Sequence, residues 1–407
     1  MLQSAQCAER SVEEMKRDLS KFRTWVEIDL GALEENFEAI KGSLPAHTGI
    51  CAVVKADAYG HGAIAVTKAL SGRCRYFAVA MAEEAYELRR AGVDDPILVL
   101  GIPPVGQYEG LIKSDVTLTV PTGAEGLAIA QAAKRAGKRA KVHIALDTGM
   151  GRIGFLPSEE QFEEICALFE IKELEIEGIF SHFACADAPD GEFSADQQAL
   201  FDSTVRRLKA RGYTVPLCHI YNSAATCTMN SPHDMVREGI LLYGISPLEE
   251  GMRCPVKVRP VMTMKSRVIQ VKTVPPQTVI SYGSTYRTRS ETVVATLSAG
   301  YGDGVPRLLS NKGYVIVKGQ YAPIIGRVCM DQLMIDATHV EDLQVGQEAV
   351  LFGCAGKHLL GADQVMASCG GIAYELLCNV NRRVPRVYLK NGEVESISNI
   401  LPESEDL

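Results

Sequence analysis

The sequence predicts an α/β protein with a β-rich second part: an N-terminal (β/α)8 TIM-type barrel followed by an all-β domain. Two observations carry this prediction. Eight short apolar runs lie between residues 49 and 236, with helical patterns among them. From about Cys254 the helical patterns give way to strand-like runs with Gly, Pro and Asn between them. Eight parallel strands are the number that closes a barrel, which favours that architecture. A doubly wound open sheet stays in play, because periodicity does not show closure.

The elements follow in order. Residues 1–24 are polar and charged and read as an N-terminal arm. The barrel is expected over residues 25–253, with strands at 49–54, 76–80, 97–100, 116–120, 142–146, 176–180, 215–220 and 235–236. Helical patterns at 83–91, 123–136, 158–169 and 195–211 are among those between them. VMTMKSRVIQVKTV, ETVVATLSAG, GYVIVKG, APIIGRVCMDQLMIDA and EAVLFG then build the β domain, a barrel or sandwich over residues 254–395. Residues 396–407 read as a polar tail.

Composition excludes several classes of function. A net charge of −8 gives no basic face for nucleic acid. No apolar run approaches the ~20 residues that span a bilayer, and the N-terminus lacks the apolar stretch of a signal peptide. Twelve cysteines with no CxxC pair point to reduced thiols, not disulfides or a metal site, and so to the cytoplasm.

In a parallel barrel, chemistry gathers at the carboxyl ends of the strands. Lys55 follows the first run, in AVVKADAYGHG, which also holds Tyr59 and His61. Its ammonium either reaches solvent along an apolar stem or is partly desolvated, so that its neutral amine can form a Schiff base. His182 follows the sixth run, Asn222 and Ser223 the seventh, and Arg237 the eighth. His182 alone could be a core histidine, and Arg237 could pair with Glu238 at the surface. Gly239 and Ile240, in MVREGILLYG, could bind an anion through backbone N–H groups. Together these residues suit a phosphorylated cofactor beside a lysine. GMGRIG fits the dinucleotide pattern GxGxxG weakly, and its Arg152 is better read as a contact for a carboxylate or a cofactor oxygen. In the second domain the candidates are Tyr282, Tyr301, Cys329 and Asp331, in SYGSTY, SAGYGDG and GRVCMDQ.

AVVKADAYGHG, DTGMGR, SHF, NSA, MVREGI, SYGSTY, GYGDG and CMDQ occur in that order, and the chain resembles the alanine racemases over roughly residues 25–388. The resemblance implies fold type III, pyridoxal 5'-phosphate (PLP) as cofactor, and racemisation of a small-molecule amino acid. Lys55 would be the Schiff-base lysine. Tyr59, Ser223, Gly239 and Ile240 would hold the phosphate, Arg237 would face the pyridine nitrogen, and His182 would lie against the ring. Tyr282 corresponds to the catalytic tyrosine. Arg152 and the Met330 backbone would take the substrate carboxylate. A homodimer with shared active sites is implied, without metal, nucleic acid or membrane, supplying D-alanine for the cell wall.

The residue types agree with that chemistry. Racemisation takes a proton from one face of a carbon and returns one to the other, which needs two acid/base groups. A lysine and a tyrosine serve if both pKa values fall from near 10. Two positions depart from the family pattern. Ala145 stands where many members have a carbamylated lysine, so Arg152 needs other support, another group or an anion such as chloride. Arg382 replaces a tyrosine near the substrate entrance, which leaves alanine against serine or broader specificity open. A PLP-dependent decarboxylase is the more distant alternative, and a single-barrel PLP carrier would lack the second domain.

Overall fold

The computed structural model describes residues 19–188, 191–249 and 251–400. Leu33–Arg259 form one compact unit, and the described residues up to Ala32 join those from Pro260 onward in another.

In the first unit eight parallel strands run in chain order around a sheet: Gly49–Val53, Tyr76–Val79, Ile97–Val99, Val116–Val120, Ala140–Ala145, Leu174–Phe180, Leu217–His219 and Met235–Glu238. The first strand also pairs with the last, Cys51 opposite Arg237. Between the seventh and eighth the ring is completed by Asp234 N donating to Cys218 O and Arg237 N to Tyr221 O, at 3.1 and 3.0 Å. This is the predicted barrel, nearly closed. Its strands read as largely apolar runs because side chains on both faces are covered, as in Tyr76–Val79, where all four residues are buried. The connecting helices start where short polar side chains cap them. Thr122 Oγ1 accepts from Glu125 N ahead of Gly123–Ala136, and Ser158 Oγ from Gln161 N ahead of Glu159–Phe169.

The second unit is mostly β. Its long strand Met262–Val274 pairs with Thr24–Asp29, Thr292–Leu297 and Glu348–Ala355. Thr24–Asp29 lies parallel to Arg386–Lys390 on its other side. Residues 25–29, expected at the start of the barrel, are therefore a central strand of this sheet. Trp25 explains the placement: fully buried, it packs with Phe22, Val387 and Val394, all of this unit. Two short helices, Ala362–Ala367 and Ala373–Cys378, interrupt the expected all-β character. At the carboxyl end, residues 396–398 belong to the strand Glu393–Ser398, paired with Arg386–Lys390, and not to a polar tail. Residues 401–407 of that tail and 1–18 of the arm lie outside the described residues.

Candidate active site

Lys55 stands where the first barrel strand ends, half-buried, and opens a turn of unusual hand. Ala56, Asp57, Ala58 and Tyr59 all have φ between 52° and 54°. Left-handed backbone costs about 1–2 kcal/mol per non-glycine residue, so something must hold it. Ala56 N donates to Glu84 Oε1 at 2.6 Å and Ala63 N to Asp57 Oδ1 at 2.8 Å. Gly60 N and Gly62 N close the turn onto Ala56 O and Asp57 O. The protonated Nδ1 of His61 lies 3.0 Å from both Ala58 O and Tyr59 O. Buried Tyr59 packs on Tyr243, whose hydroxyl donates to Val53 O. The turn fixes Lys55 against the core and delivers the Tyr59 hydroxyl to the last strand.

There Tyr59 meets Gly239. A Cβ on Gly239 would lie 2.6 Å from the Tyr59 hydroxyl oxygen, so only glycine fits. Gly239 N donates to Ser223 Oγ at 3.0 Å. Ser223 begins the helix Ser223–Thr228, which Asn222 caps by accepting from Ala225 N. The hydroxyls of Tyr59 and Ser223 thus converge at Gly239 without side-chain bulk, a set that suits a phosphate once the Gly239 N–H turns to it from Ser223.

Arg237 lies inside the barrel, 4% exposed. Its Nη1 donates to His219 Nδ1 at 2.8 Å and to His219 O, and its Nη2 to Ser181 O, Ile220 O and His182 Nδ1. The surface pairing with Glu238 does not occur, because consecutive strand residues face opposite ways and both are buried. Glu238 instead accepts from Thr226 Oγ1 at 2.6 Å, and burial raises its carboxyl pKa.

A guanidinium only donates, and that assigns protons beyond it. His219 Nδ1 and His182 Nδ1 are both acceptors. His219 therefore carries its proton on Nε2 and donates to His143 Nδ1, 2.8 Å away. His143 fits because Gly178 beside it has no side chain; a Cβ there would come 2.8 Å from the ring. Burial, then the charge of Arg237, holds His143 and His182 down at about 3. Arg152 and Lys55 add their positive charge at His182, which places both within electrostatic reach of it. Burial lowers Arg237 itself to about 10, so it stays cationic at neutral pH.

Arg152 is exposed on the loop after the fifth strand. The Asp147 carboxylate accepts from Gly149 N, Gly151 N and Arg152 N at 3.0–3.1 Å. Those amides are spent inside the loop, so GMGRIG is not a phosphate cradle of the dinucleotide kind. Ala145 is buried nearby and brings no charge. The guanidinium has no ion-pair partner among the described residues.

Tyr282 and Met330 belong to the β unit. Tyr282 is 72% exposed in a turn that follows Ser281 at φ 64°, with Ser281 Oγ donating to Arg327 O. Met330, 53% exposed, lies between Cys329, whose carbonyl accepts from Tyr301 N, and Asp331. Met330 O accepts from Gly302 N at 2.8 Å. Behind these turns Asp303 is fully buried between Arg23 and Arg383, and Arg383 also reaches Asp331 at 2.7 Å. Asp147, His143, His219, Glu84, Asp303 and Arg383 were not singled out from the sequence. For Asp147 a signal existed, in the glycine-rich loop directly after a carboxylate.

Among the described residues, no cluster of three or more His, Cys, Asp or Glu could hold a metal ion, and no helix is long and apolar enough to cross a membrane. The donor set fits PLP instead, with hydroxyls and amides for a phosphate, a strand-end lysine, and a donor-only cation for a ring nitrogen.

Comparison with known proteins agrees. The family profile described as "Alanine racemase, N-terminal domain" matches residues 28–247, and "Alanine racemase, C-terminal domain" matches 261–388. "Alanine racemase 2" of Caldanaerobacter subterraneus subsp. tengcongensis is 42% identical over 380 residues, 93% of this chain and 98% of that protein. The alanine racemase of Desulforamulus reducens is 44% identical over 90% of this chain and 98% of its own length. Among solved structures, alanine racemase of Clostridium difficile 630 superposes with a TM-score of 0.89 at 39% identity, covering 94% of this chain and 99% of that one. That of Bacillus anthracis with bound L-Ala-P gives 0.87 at 36%, covering 93% and 97%. The chain belongs to the alanine racemase family, PLP-dependent isomerases built from a barrel and a β domain.

Proposed function

We propose that this protein interconverts L- and D-alanine in the cytoplasm as a homodimer and supplies D-alanine for cell-wall synthesis. The observation that carries the reading is the buried, cationic, donor-only Arg237 between two neutral histidines. PLP, if bound there, would supply the electron-withdrawing chemistry that makes the substrate α-proton removable. Lys55 anchors the cofactor and acts as the base on one face, while Tyr282 of the other subunit acts on the opposite face. Tyr59, Ser223, Gly239 and Ile240 bind the phosphate, and His182 packs against the ring. Arg237, which only donates, would face the ring nitrogen and keep it unprotonated, which would restrain the electron sink and argues against decarboxylation, where an acidic partner is expected. Arg152 and the backbone of Met330 orient the substrate carboxylate. With Ala145 in place of a charged support, Arg152 relies on another group or a bound anion.

The test is a panel of L-amino acids with chiral analysis of the products. Alanine should lose optical rotation without gas release. Release of carbon dioxide would mean a decarboxylase, and no turnover at all a carrier.

A further inference from the structure

Beside the candidate phosphate site, two sulfurs approach each other with no part in the chemistry above. Cys227 lies in the helix Ser223–Thr228 and Cys254 on the irregular segment before Pro255, both half-buried. Their Sγ atoms are 2.8 Å apart, and Cys254 Sγ also lies 3.4 Å from Val256 O. A disulfide bond is about 2.0 Å long, so closing the pair needs a shift of under about 1 Å. A groove of about 580 Å³ reaches the Cys227 side of the pair, lined by Cys227, Thr228, Met229, Leu248, Met252 and Arg253 among others, while Cys254 is itself half-buried.

We propose that Cys227 and Cys254 form a redox-modification site, a thiol pair that a low-molecular-weight disulfide oxidises to a reversible intrachain disulfide. Cys254 attacks first. Its thiolate takes one sulfur of the reagent, forming a mixed disulfide and releasing one thiol. Cys227 then loses its proton to solvent and attacks the Cys254 sulfur, releasing the second thiol. Two protein thiols are oxidised, and one reagent disulfide is reduced to two thiols. The order rests on the contact, in which either sulfur can donate: with the Cys227 thiol donating, the Cys254 thiol is lowered and Cys227 raised. The bridge would pin the far end of the helix that begins at Ser223 to the segment at Cys254.

The experiment treats the full chain with oxidised glutathione, blocks remaining thiols with an alkylating reagent, and maps peptides by mass spectrometry. A peptide pair linking Cys227 to Cys254 should appear and vanish on reduction, while exposed Cys354 and Cys378 are found alkylated or as glutathione adducts. In Cys227→Ser the link is lost and Cys254 accumulates the mixed disulfide. If Cys227 and Cys254 are alkylated as fast as Cys354 with no linked peptide, the site does not exist. In the natural chain, quenched with acid early in the reaction, the first mixed disulfide should sit on Cys254; finding it on Cys227 overturns the proposed order.

Discussion

The barrel and the β unit hold their candidate residues by opposite means. In the barrel, Arg237 is buried and every nearby titratable ring is neutral, so the environment is set by removing water. In the β unit, Tyr282 and Met330 are exposed on turns, and what is buried is the carboxylate behind them, Asp303. One unit perturbs the groups around the candidate cofactor site, while the other holds exposed groups on braced turns. Substitutions of the supporting groups should therefore act on electrostatics in the first case and on geometry in the second.

The largest effect is expected at Lys55. Lys55→Ala removes the proposed cofactor anchor and one proposed base together, so racemisation should fall by more than the roughly 10²–10⁴-fold of a general base alone. Borohydride should fix the cofactor on the peptide containing Lys55; a label on another lysine would break the assignment. Next is Tyr282→Phe, expected to lose about 10²-fold or more while cofactor absorbance is kept. Mixing inactive Tyr282→Phe and Lys55→Ala chains should restore some activity. No recovery in verified mixed dimers would rule out shared sites.

Asp303→Asn tests the geometric side. Breaking a buried ion pair by removing one partner costs about 3–5 kcal/mol. Here the arginines are partly exposed, with side-chain exposures of 44% and 29% for Arg23 and Arg383, so the lower end, about 3 kcal/mol, applies. Hydrogen exchange should rise around residues 300–304 and 329–331, with KM affected more than kcat. A fall in kcat with unchanged exchange would mean that Asp303 acts on the chemistry itself.

The same contrast explains what was legible in the sequence. All eight barrel strands were readable, because burial on both faces writes them as apolar runs, and strand-end polar residues announced the site. The strand Thr24–Asp29 was misplaced, since its partners Met262–Val274 and Arg386–Lys390 lie more than 200 residues away. The supporting groups were hidden for a similar reason. His143 and His219 are 76 residues apart, and Arg23 and Asp303 are 280 apart, so no local pattern marks either pair. Motif resemblance named the candidate contacts to cofactor and substrate but not the groups that hold them.

Acid should separate the two units further. Burial keeps His143 and His182 at about 3 in the folded barrel, against an ordinary 6.5, and His219 well below it. Between those values the unfolded chain binds protons that the folded barrel does not. Stability contributed by neutral burial is therefore complete above about 6.5 and is lost as pH falls towards about 3. Protection of barrel peptides, with intrinsic exchange corrected for pH, should fall between about pH 6.5 and 5, with a weaker slope in His143→Gln. An unchanged slope would show that His143 does not titrate with unfolding.

The smallest effect concerns substrate range. Arg382 is exposed, on the segment that follows the helix Ala373–Cys378. A tyrosine ring at this position excludes volume rigidly, whereas arginine has more rotamers and swings toward solvent or an anion. If Arg382 walls the pocket, a slightly larger polar side chain should be tolerated, so serine should be racemised measurably beside alanine. Size discrimination in such a pocket is worth only about 1–3 kcal/mol, which one wall residue can erase. Arg382→Tyr should then raise the ratio of kcat/KM for L-alanine over L-serine by roughly tenfold, within that range. Its exposure also fits a side chain that points away, and in that case the ratio is the same in both proteins. Such a result would leave selectivity to Ala145 and Arg152, where added chloride should lower KM for alanine if a bound anion stands in for the missing charge.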